Sequence, residues 1–470
     1  MAENASYKKR SYLKGRLKAP GDKSITHRSL VFSALTKGRR QISNALLSYD
    51  IESTIACLRA LGLRIERSEH TLFVESSGQL LQHVLGRGPA EEFRALLSAQ
   101  NLEMPCGNSG TTMRILSGLA AAIPGATMQF SGDQSLSGRD MQRVLDPLQS
   151  MGARVEYLQK SGRAPFKIFG ARLHGGHFAL PVSSAQVSTA IILAGLLGQG
   201  QTIVSTPYMV RDHSLRALQY LGAPVLSAAD SLPQTVTVEP LTENLEPLPV
   251  QVAGDISSAA FILVAAAILP GSQVEITDVG LNPGRRLVLD VLQEMGAGLE
   301  VLNERTVCGE PVGDIRLEGP GKLKPCHIKA ERVASGIDEI PILALACAFA
   351  DAESCMEGVG ELAAKESDRL SAMVQNLRGL GIEAFARGDS LNISGGKSLS
   401  DIALAFASSK SHSNFQWKSF NDHRIAMAGH IAALALGPSA GLEVDDSSSI
   451  AVSYPGFFQD IDSLLLGGKQ

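Results

Sequence analysis

A hydrophobic-Gly step, placed where a helix would end and a short strand begin, recurs along the chain. The 470 residues contain five clear copies and a degenerate sixth: LRALGLRIE (58–66), LQSMGARVE (148–156), LQYLGAPVL (218–226), LQEMGAGLE (292–300), LRGLGIEAF (377–385) and SLLLGG (463–468). Their glycines lie 70 to 90 residues apart: Gly62, Gly152, Gly222, Gly296, Gly381 and Gly467. Glycine suits the end of a helix because it adopts the left-handed conformation. The even spacing predicts six repeats of one structural unit.

Each unit also contains a second helix, which begins with polar residues and continues as an apolar stretch. The six stretches are 22–35, 109–122, 183–195, 255–269, 337–350 and 421–436. Because they are apolar on nearly every face, we expect these helices inside a domain. The segment that follows one of them, GSQVEITDVG (271–280), alternates apolar and polar residues and predicts a half-buried strand.

A longer repeat divides the chain into two similar halves. APGDKSITHR (19–28) is similar to VAGDISSAAF, which begins 233 residues later at 252. We therefore expect one three-unit domain over residues 21–250 and a second over 1–20 plus 251–470, with the amino-terminal segment adding a strand to the second domain. Periodicity alone leaves open a repeat scaffold without catalytic activity.

The composition excludes several classes of function. The formal net charge is −4 with 19% charged residues, so no overall basic field indicates nucleic-acid binding. No apolar run reaches the roughly 20 residues that span a bilayer. The six cysteines lack metal-ligand spacing. They predict free thiols in a reducing compartment, with neither a metal site nor disulfides.

Charged side chains at the predicted helix starts are the most informative local feature. Helix N-termini attract anions through unpaired N–H groups and the helix dipole, so cations there are unfavourable unless an anion lies between. Such positions are predicted for Lys23, Arg28, Lys365 and Arg424. Lys365, Glu366 and Arg369 are also spaced to share one helical face. Simple capping, or a solvated salt-bridge face, remains an alternative for each motif.

Six motifs in order, PGDKSITHR, GNSGTTMR, SSAQ, IDE, KESDRL and DHRIAM, resemble those of the 5-enolpyruvylshikimate-3-phosphate synthases, within the enolpyruvyl transferases. The resemblance spans nearly the whole chain. It implies an α/β fold, a two-domain inverse α/β barrel of six βαβαββ-type units, with the active site in the interdomain cleft. It also implies transfer of the enolpyruvyl group of phosphoenolpyruvate to the 5-hydroxyl of shikimate 3-phosphate with release of phosphate, without a cofactor or metal.

The resemblance assigns site residues motif by motif. For phosphoenolpyruvate it implies Lys23, Gly110, Arg139, Gln186, Arg369 and Arg424. For shikimate 3-phosphate it implies Lys23, Ser24, Arg28, Ser184, Ala185, Gln186, Ser205, Tyr208, Arg211, Asp338 and Lys365. Asp338 would be the base for the 5-hydroxyl, Glu366 would act at C3, and Lys23 would assist as cation and acid. Ala185 replaces the second serine of the family's Ser-Ser-Gln triplet, so only its backbone can bind.

Two alternatives stay open beside this reading. UDP-N-acetylglucosamine enolpyruvyl transferases share the fold and the donor and use a loop cysteine, for which Cys106 is the candidate. The second is the scaffold without catalytic activity. With the first reading we expect a cytoplasmic monomer of aromatic amino-acid biosynthesis, inhibited by glyphosate, with small-molecule substrates and neither nucleic-acid nor membrane partners.

Overall fold

The computed structural model describes residues 12–88, 90–98, 102–228, 232–408 and 415–465. The chain divides into two compact units. The N-terminal unit comprises Gly21–Ala253 and Thr306–Glu310. The C-terminal unit comprises the residues up to Pro20, Gly254–Arg305 and the residues from Pro311 onward.

The described strands belong to both units and are two to ten residues long. They are β1 (Lys14–Lys18), β2 (Gly38–Ser43), β3 (Arg64–Ser68), β4 (Thr71–Ser76), β5 (Leu102–Pro105), β6 (Thr127–Ser131), β7 (Arg154–Tyr157), β8 (Phe166–Phe169), β9 (His174–Ala179), β10 (Gln199–Thr206), β11 (Val225–Ala228), β12 (Gln234–Val238), β13 (Val250–Gln251), β14 (Gln273–Gly280), β15 (Gly298–Val307), β16 (Glu310–Glu318), β17 (His327–Ile328), β18 (Ser354–Met356), β19 (Ala384–Arg387) and β20 (Ser390–Ile393).

The described helices lie between or after these strands along the chain. They are α1 (Lys23–Phe32), α2 (Tyr49–Ala60), α3 (Gln79–Val84), α4 (Glu91–Ser98), α5 (Gly110–Ala121), α6 (Gln134–Ser137), α7 (Gln142–Ser150), α8 (Ala185–Leu196), α9 (His213–Tyr220), α10 (Ile256–Ile268), α11 (Leu287–Glu294), α12 (Ala330–Val333), α13 (Ile340–Ala348), α14 (Arg369–Gly379), α15 (Leu399–Ser408), α16 (His423–Leu436) and α17 (Phe457–Leu465). Short 3₁₀ helices cover Ser33–Leu35, Pro283–Arg285, Gly360–Ala364 and Ser448–Val452.

The strands form five four-stranded sheets with one recurring order. The orders are β13-β2-β4-β3, β5-β6-β8-β7, β9-β10-β12-β11, β1-β14-β16-β15 and β17-β18-β20-β19. In each sheet the first pair is parallel and the second is antiparallel. These five sheets therefore share one strand order, as five of the six expected repeats would. For the sixth, the described residues show α15 to α17 and an isolated bridge between Trp417 and Val444, with no four-stranded sheet.

The amino-terminal strand pairs far along the sequence. In β1, Lys14 to Lys18 align in parallel with Gln273 to Thr277 of β14. Leu17 thereby lies opposite Ile276, whose side chain is fully buried in the core of the C-terminal unit. The strand expected from this segment is present.

The apolar helices lie in the centre of each unit, as their composition predicts. Every residue of α10 and of α13 is buried, and in α8 only Gln186 is not. Their polar starts are capped by side chains in most cases. Asp22 accepts from the Ile25 amide at 2.8 Å, and Ser109, Ser184, Asp255 and Asp422 cap α5, α8, α10 and α16 in the same way.

The repeated glycines end their helices as expected. Gly62, Gly152, Gly222, Gly296 and Gly381 all have positive φ, between 76° and 115°. The sixth copy's Gly467 lies outside the described residues. Among the described helices, none is both long enough and apolar enough to cross a membrane.

One local prediction is wrong. Lys365, Glu366 and Arg369 do not share a helical face, because α14 begins only at Arg369. Asp368 caps that helix by accepting from the Ser371 amide at 3.0 Å. Lys365 is extended and precedes the cap. An aspartate directly before the helix therefore moves the start by several residues.

Candidate active site

The start of α1 holds the first cation in an ion pair. Lys23 is the first residue of the helix, and its Nζ lies 3.0 Å from Oδ2 of Asp50, in the first turn of α2. Both side chains are mostly buried. A carboxylate therefore compensates the unfavourable position of the lysine at a helix N-terminus. An ammonium held this way can contact a ligand and remain within reach of a proton acceptor.

Arg28, one turn further along α1, is almost fully buried and tightly held. Its Nε donates to Oγ of Ser214 at 2.7 Å, its Nη2 to Oγ1 of Thr189 at 3.2 Å, and its Nη1 to the Ser24 carbonyl at 3.0 Å. Arg211 Nη1 lies 3.5 Å from Oγ of the same Ser24. Three residues assigned to shikimate 3-phosphate, Ser24, Arg28 and Arg211, are therefore brought together.

Two guanidinium groups meet above the start of α5. A Cβ atom placed on Gly110 would lie 3.0 Å from Nη1 of Arg114 and 3.2 Å from Nη1 of Arg139. Arg139 also donates to Oδ1 of Asn108 at 2.7 Å. Because Gly110 lacks a side chain, both cations can approach the first turn of the helix.

Gln186, in the first turn of α8, connects this helix start to α5. Its Oε1 accepts from Arg114 Nη1 at 2.8 Å, and its Nε2 donates to Oγ1 of Thr111 at 2.9 Å. Ser184 caps α8, with its Oγ 3.4 Å from the Val187 amide, and Ala185 follows it as the first helical residue. The polar starts of α5 and α8 thus share a hydrogen-bond network.

Two assigned residues lie on or near β10 and make other contacts. Ser205 Oγ is 2.9 Å from Nε2 of His177 in the neighbouring strand β9. Tyr208 is 44% exposed, and its backbone amide donates to Ser183 Oγ at 2.9 Å. Neither of these hydrogen bonds involves a residue of the clusters above.

In the C-terminal unit, Arg369 binds three carboxylates. Its Nε lies 2.8 Å from Oδ2 of Asp422, its Nη2 lies 2.5 Å from Oε2 of Glu366, and its Nη1 lies 3.2 Å from Oδ1 of Asp338. The arginine is 1% exposed and Asp422 is fully buried. Glu366 and Asp338 remain partly accessible. Arg369 therefore fixes two reachable carboxylates from a buried position.

The same contacts determine the direction of the pKa shifts of Arg369 and Asp422. Burial acts to lower the pKa of Arg369, but the charges of Asp422, Glu366 and Asp338 outweigh it and raise that pKa. Burial acts to raise the pKa of Asp422, and the Arg369 charge overcomes this and lowers it. Both groups are therefore charged at neutral pH.

Lys365 and Arg424 complete this cluster around Asp338. Lys365 Nζ lies 3.4 Å from Oδ1 of Asp338, while Arg424 Nη1 donates to the Asp338 carbonyl at 2.9 Å. Arg424 also lies 3.6 Å from Oε1 of the buried Glu339. Glu339 does not cap α13, since no side-chain bond is made there. Its role is pairing rather than capping.

Comparison with known proteins agrees with these motifs. The family model described as EPSP synthase (3-phosphoshikimate 1-carboxyvinyltransferase) matches residues 7–461. The chain belongs to the EPSP synthase family. It is 41% identical to the 3-phosphoshikimate 1-carboxyvinyltransferase of Parasynechococcus marenigrum over 452 residues, which cover 96% of each chain. It is 40% identical to that of Synechocystis sp. over 455 residues, 97% of this chain and 94% of the relative. A solved EPSP synthase structure from Acinetobacter baumannii has 34% identity and a TM-score of 0.76, with 96% of each chain covered.

Family membership agrees with the state of Cys106. This cysteine is fully buried, and burial raises the pKa of its thiol well above the usual value. A reactive cysteine needs an accessible thiolate instead. Cys106 is therefore unsuited to the role of the loop cysteine in the related UDP-N-acetylglucosamine enzymes.

Several members of these clusters were not predicted from the sequence. They are Asp50, Asn108, Arg114 and Arg285, the last of which pairs with the buried Asp255 and Glu339. Glu339 and Asp422 were expected only as possible helix caps. Arg114 could have been found, because it lies four residues after Gly110 and so on the same face of the helix. Arg285 could not, since its partners Asp255 and Ser257 are about 30 residues away in sequence.

Proposed function

We propose that the helix-start clusters described above bind phosphoenolpyruvate and shikimate 3-phosphate. Family membership establishes the reaction class: the protein is an enolpyruvyl transferase of the shikimate pathway. Its reaction moves the enolpyruvyl group of phosphoenolpyruvate to the 5-hydroxyl of shikimate 3-phosphate and releases phosphate. Assigning individual residues to the two substrates is our proposal.

The observation that carries the proposal is the pair of guanidinium groups at Gly110. Their Nη1 atoms lie 3.0 Å (Arg114) and 3.2 Å (Arg139) from the position that a Cβ would occupy, which is closer than ordinary van der Waals contact. That space is at the N-terminus of α5, where amide groups and the helix dipole favour an anion. A phosphate or carboxylate group there would accept from Arg139 and from the helix. Lys23, Gln186, Arg369 and Arg424 complete the proposed phosphoenolpyruvate ligands.

Shikimate 3-phosphate would use a second set of groups. Arg28 and Arg211 both donate hydrogen bonds to Ser24. They place two cations beside hydroxyl groups, and this combination can bind the phosphate ester of the substrate. The remaining proposed ligands are Ser184, Ala185, Gln186, Ser205, Tyr208, Lys23, Asp338 and Lys365. Ala185 would contribute through its backbone.

The proposed chemistry requires four proton transfers, at the 5-hydroxyl, twice at C3 and at the leaving phosphate. Asp338, held between Lys365 and Arg369, would take the proton of the 5-hydroxyl as its oxygen attacks C2 of phosphoenolpyruvate. Glu366, in its protonated form, would donate a proton to C3 as the tetrahedral intermediate forms, and the resulting carboxylate would remove a proton from C3 as phosphate leaves. Lys23 would stabilise the developing negative charge and donate a proton to the leaving group.

We further propose the finer architecture that the resemblance implies. The two compact units would correspond to domains 21–250 and 1–20 plus 251–470, each of three repeats in an inverse α/β barrel, with the substrates in the cleft between domains. The recurring sheet order supports the repeats. The six free cysteines are consistent with a cytoplasmic location. We propose a monomer that binds neither nucleic acid nor membrane.

Phosphate release from phosphoenolpyruvate tests the assignment. We expect release with shikimate 3-phosphate and none with UDP-N-acetylglucosamine. Arg139→Ala should lower kcat/KM by a factor of about 30 or more, as expected for loss of a charge contact to a bound anion. Arg172→Ala is the matched control, because this arginine of the same unit is exposed, and should leave kcat/KM unchanged. Equal rates in both variants would overturn the proposal.

A further inference from the structure

Two short strands of the C-terminal unit bring a histidine, a cysteine and a glutamate to one patch. His327 of β17 lies opposite Cys355 of β18 in the parallel register. Glu357 follows two residues after Cys355, so strand alternation places its side chain on the same face. Its amide donates to the Ile328 carbonyl at 2.8 Å, which extends the strand pairing to this residue.

The donor atoms of these three side chains are close enough to share an ion. A ring nitrogen, the cysteine sulfur and a carboxylate oxygen all lie within 4.8 Å of one another. A tetrahedral zinc site with bonds of about 2.0–2.3 Å places neighbouring donors about 3.3–3.7 Å apart. Changes of about 1 Å would therefore close the site. The His327 and Glu357 side chains are 56% and 43% exposed, so they have room to adjust.

We propose that His327, Cys355 and Glu357 form a binding site for one zinc ion, with water as the fourth ligand. The set of imidazole, thiolate and carboxylate selects a borderline metal such as zinc over magnesium or calcium, which prefer oxygen ligands alone. Nε2 of His327 now lies 2.7 Å from Oε1 of Glu357. Zinc would replace this contact, and the thiol proton would leave to solvent.

This site departs from the expectation of no metal. The sequence gives no signal, since His327 and Cys355 are 28 residues apart, and only the pairing of β17 with β18 brings them together. None of the three residues is among the proposed substrate ligands. Zinc binding therefore goes beyond the proposed transferase function, and its test is independent of turnover.

The experiment uses the full chain without a histidine tag, stripped of metal by a chelator. Zinc is added in competition with a chromophoric chelator, and cobalt is added to separate samples as a spectroscopic probe. We expect one tight zinc per chain, and with cobalt a thiolate-to-metal charge-transfer band. His327→Ala and Cys355→Ser should each weaken zinc binding by at least about tenfold, and Cys355→Ser should abolish the charge-transfer band.

Cys308→Ser is the matched control, because Cys308 is a partly exposed cysteine of the other unit. It should keep both the zinc affinity and the cobalt band. Absence of zinc binding to the wild-type chain would overturn the proposal. So would zinc affinity that is unchanged in His327→Ala and Cys355→Ser, or that is lost equally in Cys308→Ser.

Discussion

Adding one methyl group at position 110 tests the geometry of the α5 start. In Gly110→Ala the new Cβ would lie 3.0 Å from Arg114 Nη1, 3.2 Å from Arg139 Nη1 and 3.7 Å from Leu136 Cδ1. The first two distances are shorter than ordinary van der Waals contact, so both guanidinium groups must retreat by a few tenths of an ångström. They are the ends of flexible side chains, and the backbone of Gly110 is helical. We therefore expect the variant to fold.

The size of the effect follows from which atoms must move. Overpacking costs about 1–3 kcal/mol, or about 5- to 150-fold in affinity. For phosphoenolpyruvate we expect the lower end, because the arginine ends can shift with the ligand phosphate. Glyphosate resembles an extended phosphoenolpyruvate analogue, so it has less freedom to shift and should lose affinity near the upper end.

Steady-state kinetics with both ligands decide the matter. The KM for phosphoenolpyruvate and the inhibition constant of glyphosate are measured in the wild type, in Gly110→Ala and in the control Gly176→Ala. Position 176, in β9 of the same unit, offers a new Cβ only ordinary contacts at 3.6 Å. The control should leave both constants unchanged. Equal factors for the two ligands in Gly110→Ala would refute the placement of Gly110 against the substrate.

Four further outcomes are expected. Arg424→Ala should cost about 2–5 kcal/mol of transition-state stabilisation, measured as kcat/KM for phosphoenolpyruvate; near-wild-type turnover would exclude Arg424 from the site. Cys106→Ser should keep its rate with shikimate 3-phosphate, and a dead but folded variant would restore the cysteine mechanism. Asp422 has a lowered pKa when folded, so its stabilisation is complete above its unfolded pKa of about 3.9 and is lost as the pH falls through the lower folded value. Asp422→Asn should lower the unfolding free energy by about 3–5 kcal/mol at neutral pH, and that free energy should then fall less steeply as the pH is lowered. If denaturant unfolding of the variant gives the same pH dependence as the wild type, the ion pair is contradicted. Burial lowers the pKa of His430 to about 4, so the protein should lose roughly 3 kcal/mol as the pH falls from about 6.5 to 4, and His430→Gln should remove that loss in the same titration.

The repeats could be predicted from the sequence because they depend on local rules. Glycine at positive φ and apolar stretches with polar starts are properties of short segments, and both predictions are confirmed. The apolar stretch 421–436 likewise located α16, which spans His423–Leu436 and begins directly after its cap Asp422.

The contacts between segments could not be predicted in this way. Asp50 pairs with Lys23 across two helices, and Asp422 pairs with Arg369 across 53 residues. Charged partners at such separations leave no periodic signal, so the sequence indicated the cations Lys23 and Arg369 but not their partners Asp50 and Asp422. The predicted start of α14 was wrong for a related reason, because the capping residue Asp368 begins the helix later than the spacing of the charged residues indicated.

The pairing of β1 with β14 has a consequence for how the chain folds during synthesis. By the time Ala253 has been made, the N-terminal unit has all its strands, including β13, and lacks only the short segment 306–310. The strand β1 is made earlier still, but its partner β14 is made about 260 residues later. Until β14 is made, β1 has no partner strand while the N-terminal unit folds, and its open edge can pair with other strands. An expressed fragment that begins at residue 254 contains β14 but lacks β1, so one edge of β14 would be open and the fragment should not fold stably. Adding a peptide of residues 12–20 should restore its folding.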